Sequence, residues 1–187
     1  MKKIPTKISG LLILEPTVFS DDRGYFFESF RQDALPASIK DFVQDNESFS
    51  CKGTLRGLHF QAPPFSQSKL VRVTSGSVCD IAVDLRYGSS TYGKWHAELL
   101  SEKNKRQFLI PEGFAHGFIT LENNTRFQYK CTNYYSRESE GGIIYNDQNL
   151  NINWSKLSGL RESEFIISEK DTQLSNMNNF KSPFQFK

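Results

Sequence analysis

Cysteine, methionine, tryptophan and histidine are all scarce, at three, two, two and three among 187 residues. The cysteines, Cys51, Cys79 and Cys131, are odd in number, widely spaced and form no C-x-x-C pair. That pattern supports no disulfide framework, and free thiols in a reducing cytoplasm are expected. No H-x-H pair exists, so spacing offers no metal-ligand signature and no metal is expected. Neither charge sign dominates: 23 Lys and Arg against 21 Asp and Glu leave +2, which gives no support for a general nucleic-acid or membrane binder. Long apolar runs are missing too. The longest nearly apolar stretch, Leu11 to Leu14, is far too short to span a bilayer. Met1-Lys2-Lys3 is followed by Pro5 and Gly10 rather than by an apolar run and a cleavage site, so no signal peptide is expected. There is no P-loop and no G-x-G-x-x-G, which removes a standard ATP or dinucleotide cradle.

What the chain has in quantity is aromatic bulk: 16 Phe and 7 Tyr, too much apolar surface to leave in water. The length suits one domain, residues 1–187. Residues 1–30 read as N-terminal strands, with the turn Ser20-Asp21-Asp22-Arg23-Gly24 between aromatic flanks. Lys69 to Thr74 alternates, with Leu70 and Arg72 on one face and Val71 and Val73 on the other. Ser75-Gly76-Ser77 is a turn, and Val78 to Leu85 is another strand, with Ile81 and Val83 opposite Ala82 and Asp84. Strand-like runs follow at Trp95 to Leu100, Gln107 to Ile110, Gly117 to Leu121 and Arg126 to Thr132. Short strands with turns every ten or so residues predict a sandwich or barrel, and no alternation with long helices supports a Rossmann-like sheet. Residues 151–187 are more polar and read as an appendage on the β body, with short helices near Asn153–Leu157 and Glu169–Met177.

Chemistry-bearing residues are few. His59 lies in Leu55-Arg56-Gly57-Leu58-His59-Phe60-Gln61, and His116 in Ile110-Pro111-Glu112-Gly113-Phe114-Ala115-His116-Gly117-Phe118. Glycine flanks let backbone approach a ligand closely, and a histidine with a partner moves protons near neutral pH. His96, beside Trp95 in a plain strand, reads as structural. Arg23, Arg56, Lys69 and Arg72 are cations among aromatic and glycine residues, suited to a phosphate or pyrophosphate. Tyr129 and Tyr135 share a face if their strand runs unbroken, so one can meet a reacting centre while the other stacks on a base.

These segments, in order, resemble the dTDP-4-dehydrorhamnose 3,5-epimerase family of nucleotide-sugar enzymes. The matching pieces are Phe19 to Glu28, Phe42 to Asn46, Leu55 to Gln61, Lys69 to Arg72, Val83 to Arg86, Ile110 to Phe118, Tyr129 to Tyr135, Ser139-Glu140-Gly141 and Ile167 to Asp171. The resemblance spans roughly residues 10 to 175, nearly the whole chain. The resemblance implies a mainly β, cupin-type jelly-roll sandwich with short peripheral helices, a homodimer, and no cofactor or metal. It implies a dTDP-4-keto-6-deoxy sugar as substrate, with carbons 3 and 5 of dTDP-4-dehydro-6-deoxy-D-glucose inverted to give dTDP-4-dehydro-L-rhamnose.

Carried over by position, His59 would be the general base, oriented by Asp171, and Tyr129 the proton donor on the other face. Lys69 would stabilise the enolate oxygen, and Tyr135 would stack on thymine. Arg23, Glu28, Gln44, Asp45, Asn46, Arg56, His116, Glu140 and Lys170 would bind nucleotide and sugar, the segment of Arg23 and Glu28 in the partner subunit's site. Asp84 matches a family position either as a second partner for the histidine or as a buried structural acid. The alternatives are a mono-epimerase at carbon 3 or carbon 5, a 3,4-ketoisomerase, a non-catalytic sugar-nucleotide binder and a metal-dependent oxygenase of the same fold.

Overall fold

The computed structural model describes residues 1–186. Fourteen strands carry it: β1 (Lys2–Pro5), β2 (Leu12–Glu15), β3 (Phe19–Asp21), β4 (Gly24–Phe26), β5 (Gln44–Ser50), β6 (Thr54–Gln61), β7 (Lys69–Ser75), β8 (Ser77–Asp84), β9 (Trp95–Ser101), β10 (Gln107–Ile110), β11 (Phe114–Thr120), β12 (Thr125–Cys131), β13 (Glu140–Gly142) and β14 (Ile166–Ile167). Two short helices, α1 (Trp154–Ser158) and α2 (Glu169–Thr172), lie near the C-terminus. One sheet runs β1-β2-β10-β7-β12-β5 and the facing one β13-β6-β11-β8-β9, with β14 added in parallel to β6. The remaining pairings are antiparallel. The architecture is the expected mainly β, cupin-like sandwich.

The alternation of β7 puts Val71 and Val73 inward, where they meet Phe108, Phe118 and Phe127 between the sheets. Leu70 points outward and joins Leu14, Leu35, Ile39 and Leu109 under the loop over that sheet. Strand β8 is buried along its whole length, because the C-terminal segment covers its outer face: Trp154, Leu160 and Phe184 pack there with Ile81 and Val83. Burying each such side chain contributes about 1.5–3 kcal/mol. That segment therefore closes the second core and delivers α2 beside Gly57 and His59 of β6.

Several expectations change in detail. β11 starts three residues before the predicted run, at Phe114, so His116 sits inside the strand. The strand of Tyr129 ends at Cys131, so Tyr135 lies beyond it and strand alternation does not relate the two tyrosines. The helix near Glu169 stops at Thr172. β3 and β4 form the expected hairpin, which pairs with no other strand among the described residues. No helix among those residues is long and apolar enough to cross a membrane.

Candidate active site

A cavity opens between the two sheets. His59 and Arg56 enter it from β6, His116 from β11, Lys69 from β7, Tyr129 from β12, and Lys170 and Asp171 from α2. It adjoins a second hollow lined by Gln44, Asn46, Gln67, Cys131, Tyr135 and Glu140, with His59, Lys69 and Tyr129 in both walls. His59 and His116 face each other across the β6–β11 ladder. Gly57 and Gly117 let those strands approach here. A Cβ on Gly117 would fall 2.6 Å from the Arg56 carbonyl, and one on Gly57 would fall 2.6 Å from Gly117 Cα.

His59 Nε2 lies 2.7 Å from Asp171 Oδ1. A carboxylate only accepts, so Nε2 carries the hydrogen and donates it, leaving Nδ1 with its lone pair. Asp171 is buried and held in turn. Its Oδ2 accepts from the Gly57 N–H at 3.3 Å, and the Ser168 hydroxyl caps α2 by accepting from the Asp171 N–H at 3.2 Å. Burial pushes the Asp171 carboxyl up, but the His59 hydrogen bond and charge and the Gly57 and Ser168 contacts outweigh it and hold the group below the usual carboxylate range.

Tyr129 and Lys69 come from the facing sheet, on adjacent strands, with Cys131 opposite Lys69 and Tyr129 opposite Val71. Lys69 Nζ lies 5.9 Å from the Tyr129 ring centroid. Burial pushes the Tyr129 phenol up, so it keeps its proton further into the alkaline range. Burial pushes the Lys69 ammonium down, against the opposing pull of Cys131, Asp80 and Glu140.

His116 has its own carboxylate, Asp80. Both oxygens of Asp80, fully buried on β8, lie at 3.1 and 2.9 Å from His116 Nε2. Asp84 is the structural acid of the two readings offered for it: it accepts from Arg86 at 2.8 and 2.7 Å and from the Ser89 and Thr91 hydroxyls at 2.7 Å each. Asp80 is not among the residues that the sequence marks as candidates. The available signal was a pair of acids, Asp80 and Asp84, among the six apolar residues of Val78–Leu85, since such groups are almost never fully buried without a partner.

At the other end of the site, the Tyr135 hydroxyl donates to Glu140 at 3.0 Å, and Lys170 Nζ donates to the same oxygen at 2.7 Å. The Tyr135 N–H donates to Gln44 at 2.9 Å. Tyr135 is exposed, which leaves its ring free to stack. Three expected residues are not brought here. Asp45 stands between Gln44 and Asn46 on β5, so alternation turns it to the opposite face, where it binds Lys130 at 2.8 Å. Arg23 is bound to Asp21 at 2.6 Å, and Glu28 lies 3.5 Å from Arg31, both outside the two hollows. Among the described residues no group of three His, Cys, Asp or Glu side chains is placed to hold a metal ion.

A family model described as dTDP-4-dehydrorhamnose 3,5-epimerase matches residues 5–179. The dTDP-4-dehydrorhamnose 3,5-epimerase of Escherichia coli K12 is 52% identical over 177 residues, covering 93% of each chain. A crystal structure of dTDP-6-deoxy-D-glucose-3,5-epimerase from Legionella pneumophila, in complex with dTDP-4-keto-L-rhamnose, superposes with a TM-score of 0.92 at 44% identity and covers 100% of this chain and 98% of that one. A 3'-monoepimerase from Streptomyces bikiniensis, in complex with dTDP-quinovose, shares the fold at a TM-score of 0.85 and 26% identity, covering 93% of this chain and 87% of that one. With a match of that length and relatives of that identity, this chain belongs to the dTDP-4-dehydrorhamnose 3,5-epimerase family, a family of isomerases.

Proposed function

We propose that the chain inverts carbons 3 and 5 of dTDP-4-dehydro-6-deoxy-D-glucose to give dTDP-4-dehydro-L-rhamnose. The observation that carries this reading is the placement of His59 and Tyr129 on opposite sheets, facing one cavity. Inversion needs a base on one face of a carbon and an acid on the other. Both carbons flank the 4-ketone, which acidifies their C–H bonds. His59 Nδ1 takes the proton, and the electron pair moves onto the ketone oxygen as an enolate. The Lys69 ammonium stabilises that oxygen, and Tyr129 returns a proton on the opposite face. Each positioned acid or base contributes typically about 10²–10⁴-fold. The step is redox-neutral, with one proton leaving and one arriving at each carbon.

Arg56, His116, Gln44, Asn46, Glu140 and Lys170 hold the sugar and nucleotide in this reading, and the exposed Tyr135 ring stacks on the base. Arg23 and Glu28 act in the site of the partner subunit of a homodimer.

The test is turnover of dTDP-4-dehydro-6-deoxy-D-glucose in deuterium oxide, followed by proton NMR and mass. Deuterium at carbons 3 and 5 in an L-configured product is the expected result. The shared fold of the Streptomyces bikiniensis 3'-monoepimerase supports a second reading, inversion at one carbon, which deuterium at a single position would select. No exchange in folded protein would overturn both.

A further inference from the structure

Behind the cavity stands a pair of carboxylates that the proposed reaction does not use. Asp80 on β8 and Glu98 on β9 are direct register partners, so their side chains leave the sheet on the same face. Like charges set opposite each other across a ladder repel, and here each is paired with a different base. Asp80 holds His116 with both oxygens. Glu98 accepts from Arg106 at 2.9 Å and lies 3.6 Å from His96 Nε2, while Arg106 also binds Glu15 at 3.0 Å. A line of polar groups thus runs from the cavity wall at His116 through the sandwich to the partly exposed Arg106.

This arrangement constrains His116. Burial and the neighbouring Glu98 charge push the Asp80 carboxyl up, while His116 and Lys69 pull it down; as a carboxylate it accepts from His116, which puts the hydrogen on Nε2 and leaves Nδ1 for a molecule in the cavity. The ring also lies nearly parallel to Phe127, with centroids 6.0 Å apart and planes at 20°. The negative charge of Glu98 opposite Asp80 makes Asp80 a stronger acceptor of that hydrogen.

We propose that Asp80 and Glu98 are positioning residues: Asp80 fixes His116 with its hydrogen on Nε2, Glu98 anchored by Arg106 strengthens that hold, and His116 Nδ1 thereby presents an acceptor to a sugar hydroxyl. The kinetic arm of the test rests on the epimerase reading, but the spectroscopic arm does not.

The full chain, labelled with ¹⁵N-histidine, is compared with its Asp80→Asn and Glu98→Gln variants. In the parent, His116 shows hydrogen on Nε2, with a downfield, hydrogen-bonded proton. Asp80→Asn mixes the two tautomers and lowers kcat about 10–100-fold, with KM within about threefold. Glu98→Gln keeps the tautomer but moves the Nε2 proton upfield and lowers kcat about threefold to tenfold. Hydrogen on Nδ1 in the parent, or an unchanged His116 spectrum in both variants, overturns the proposal. A shift in thermal midpoint with His116 signals and kcat unchanged also overturns it, because the pair is then only structural. Should Asp80→Asn fail to fold, the Nε2 proton in Glu98→Gln decides. The expected spectra in a chain without exchange activity leave the positioning pair standing and overturn the epimerase reading instead.

Discussion

His59 and Asp171 are 112 residues apart in the chain and 2.7 Å apart at Nε2 and Oδ1. The contact exists because β14 pairs in parallel with the start of β6, which carries α2 alongside Gly57 and His59. Asp171→Asn removes the charge and the fixed tautomer while keeping the shape. In a comparable serine-protease dyad that exchange costs about 10⁴-fold in kcat. Here kcat is expected to fall about 10²–10⁴-fold, with nucleotide affinity by calorimetry within about threefold. A kcat within a factor of three of the parent would remove Asp171 from the mechanism.

Tyr129→Phe separates proton removal from proton return. The base, its partner and Lys69 remain, so carbon-bound hydrogen still exchanges. Inverted product forms at least about 10²-fold more slowly, since one positioned acid is lost. NMR in deuterium oxide checks this: slow washout with retained configuration is expected, and full-speed inversion would exclude Tyr129 as the donor.

How much of this site is legible in the sequence depends on distance and on period. The run Val78–Leu85 announces a strand by its apolar density, and β8 is there. Glu112 and Gly113 form a turn, with Gly113 at φ +91°, and β11 begins at the next residue and takes His116 with it. Gln44-Asp45-Asn46 reads as one unit in sequence, yet a period of two sends Asp45 outward. The His116–Asp80 and His59–Asp171 pairs are set by register and by a C-terminal excursion, and no local spacing encodes either.

Lys69→Met should stabilise the fold while abolishing activity. Burial lowers the folded-state pKa of Lys69 below its ordinary value. A cation depressed in this way costs stability at every pH below its folded pKa. The cost fades as pH rises from the folded toward the unfolded value. At pH 7, below the ordinary lysine value, that cost is present, and replacing the amine with an apolar side chain relieves it. For a chain of this size each kcal/mol raises the thermal midpoint by about 2–4 °C. Calorimetry at pH 7 is expected to show a higher midpoint for Lys69→Met, and turnover to be lost.

Gly117→Ala tests how closely β6 and β11 must approach. The added methyl group meets the Arg56 carbonyl at 2.6 Å, and that atom is backbone, not a side-chain end that swings away. Overpacking of this kind costs about 1–3 kcal/mol. A fall of about 2–12 °C in midpoint is expected, together with weaker nucleotide binding, because Arg56 and His116 flank the point of contact. An unchanged midpoint would mean that the strands separate freely.

The hairpin β3–β4 exposes Phe19, Tyr25 and Phe26 at 63, 61 and 68% and carries Arg23 at its turn. Three exposed aromatic rings on a hairpin that pairs with no other strand among the described residues make a poor free surface in water and a good one for a second copy of the chain. In that arrangement Arg23 serves the partner's site and His59 its own. Arg23→Ala and His59→Ala, each nearly inactive alone, then complement each other. After co-refolding, half of the dimers are mixed, and each mixed dimer holds one site with both lesions and one with neither. About a quarter of parental activity should return. Were Arg23 to act in its own subunit, every site would keep one lesion and mixing would restore nothing. Sedimentation of the parent as a monomer would remove the premise altogether.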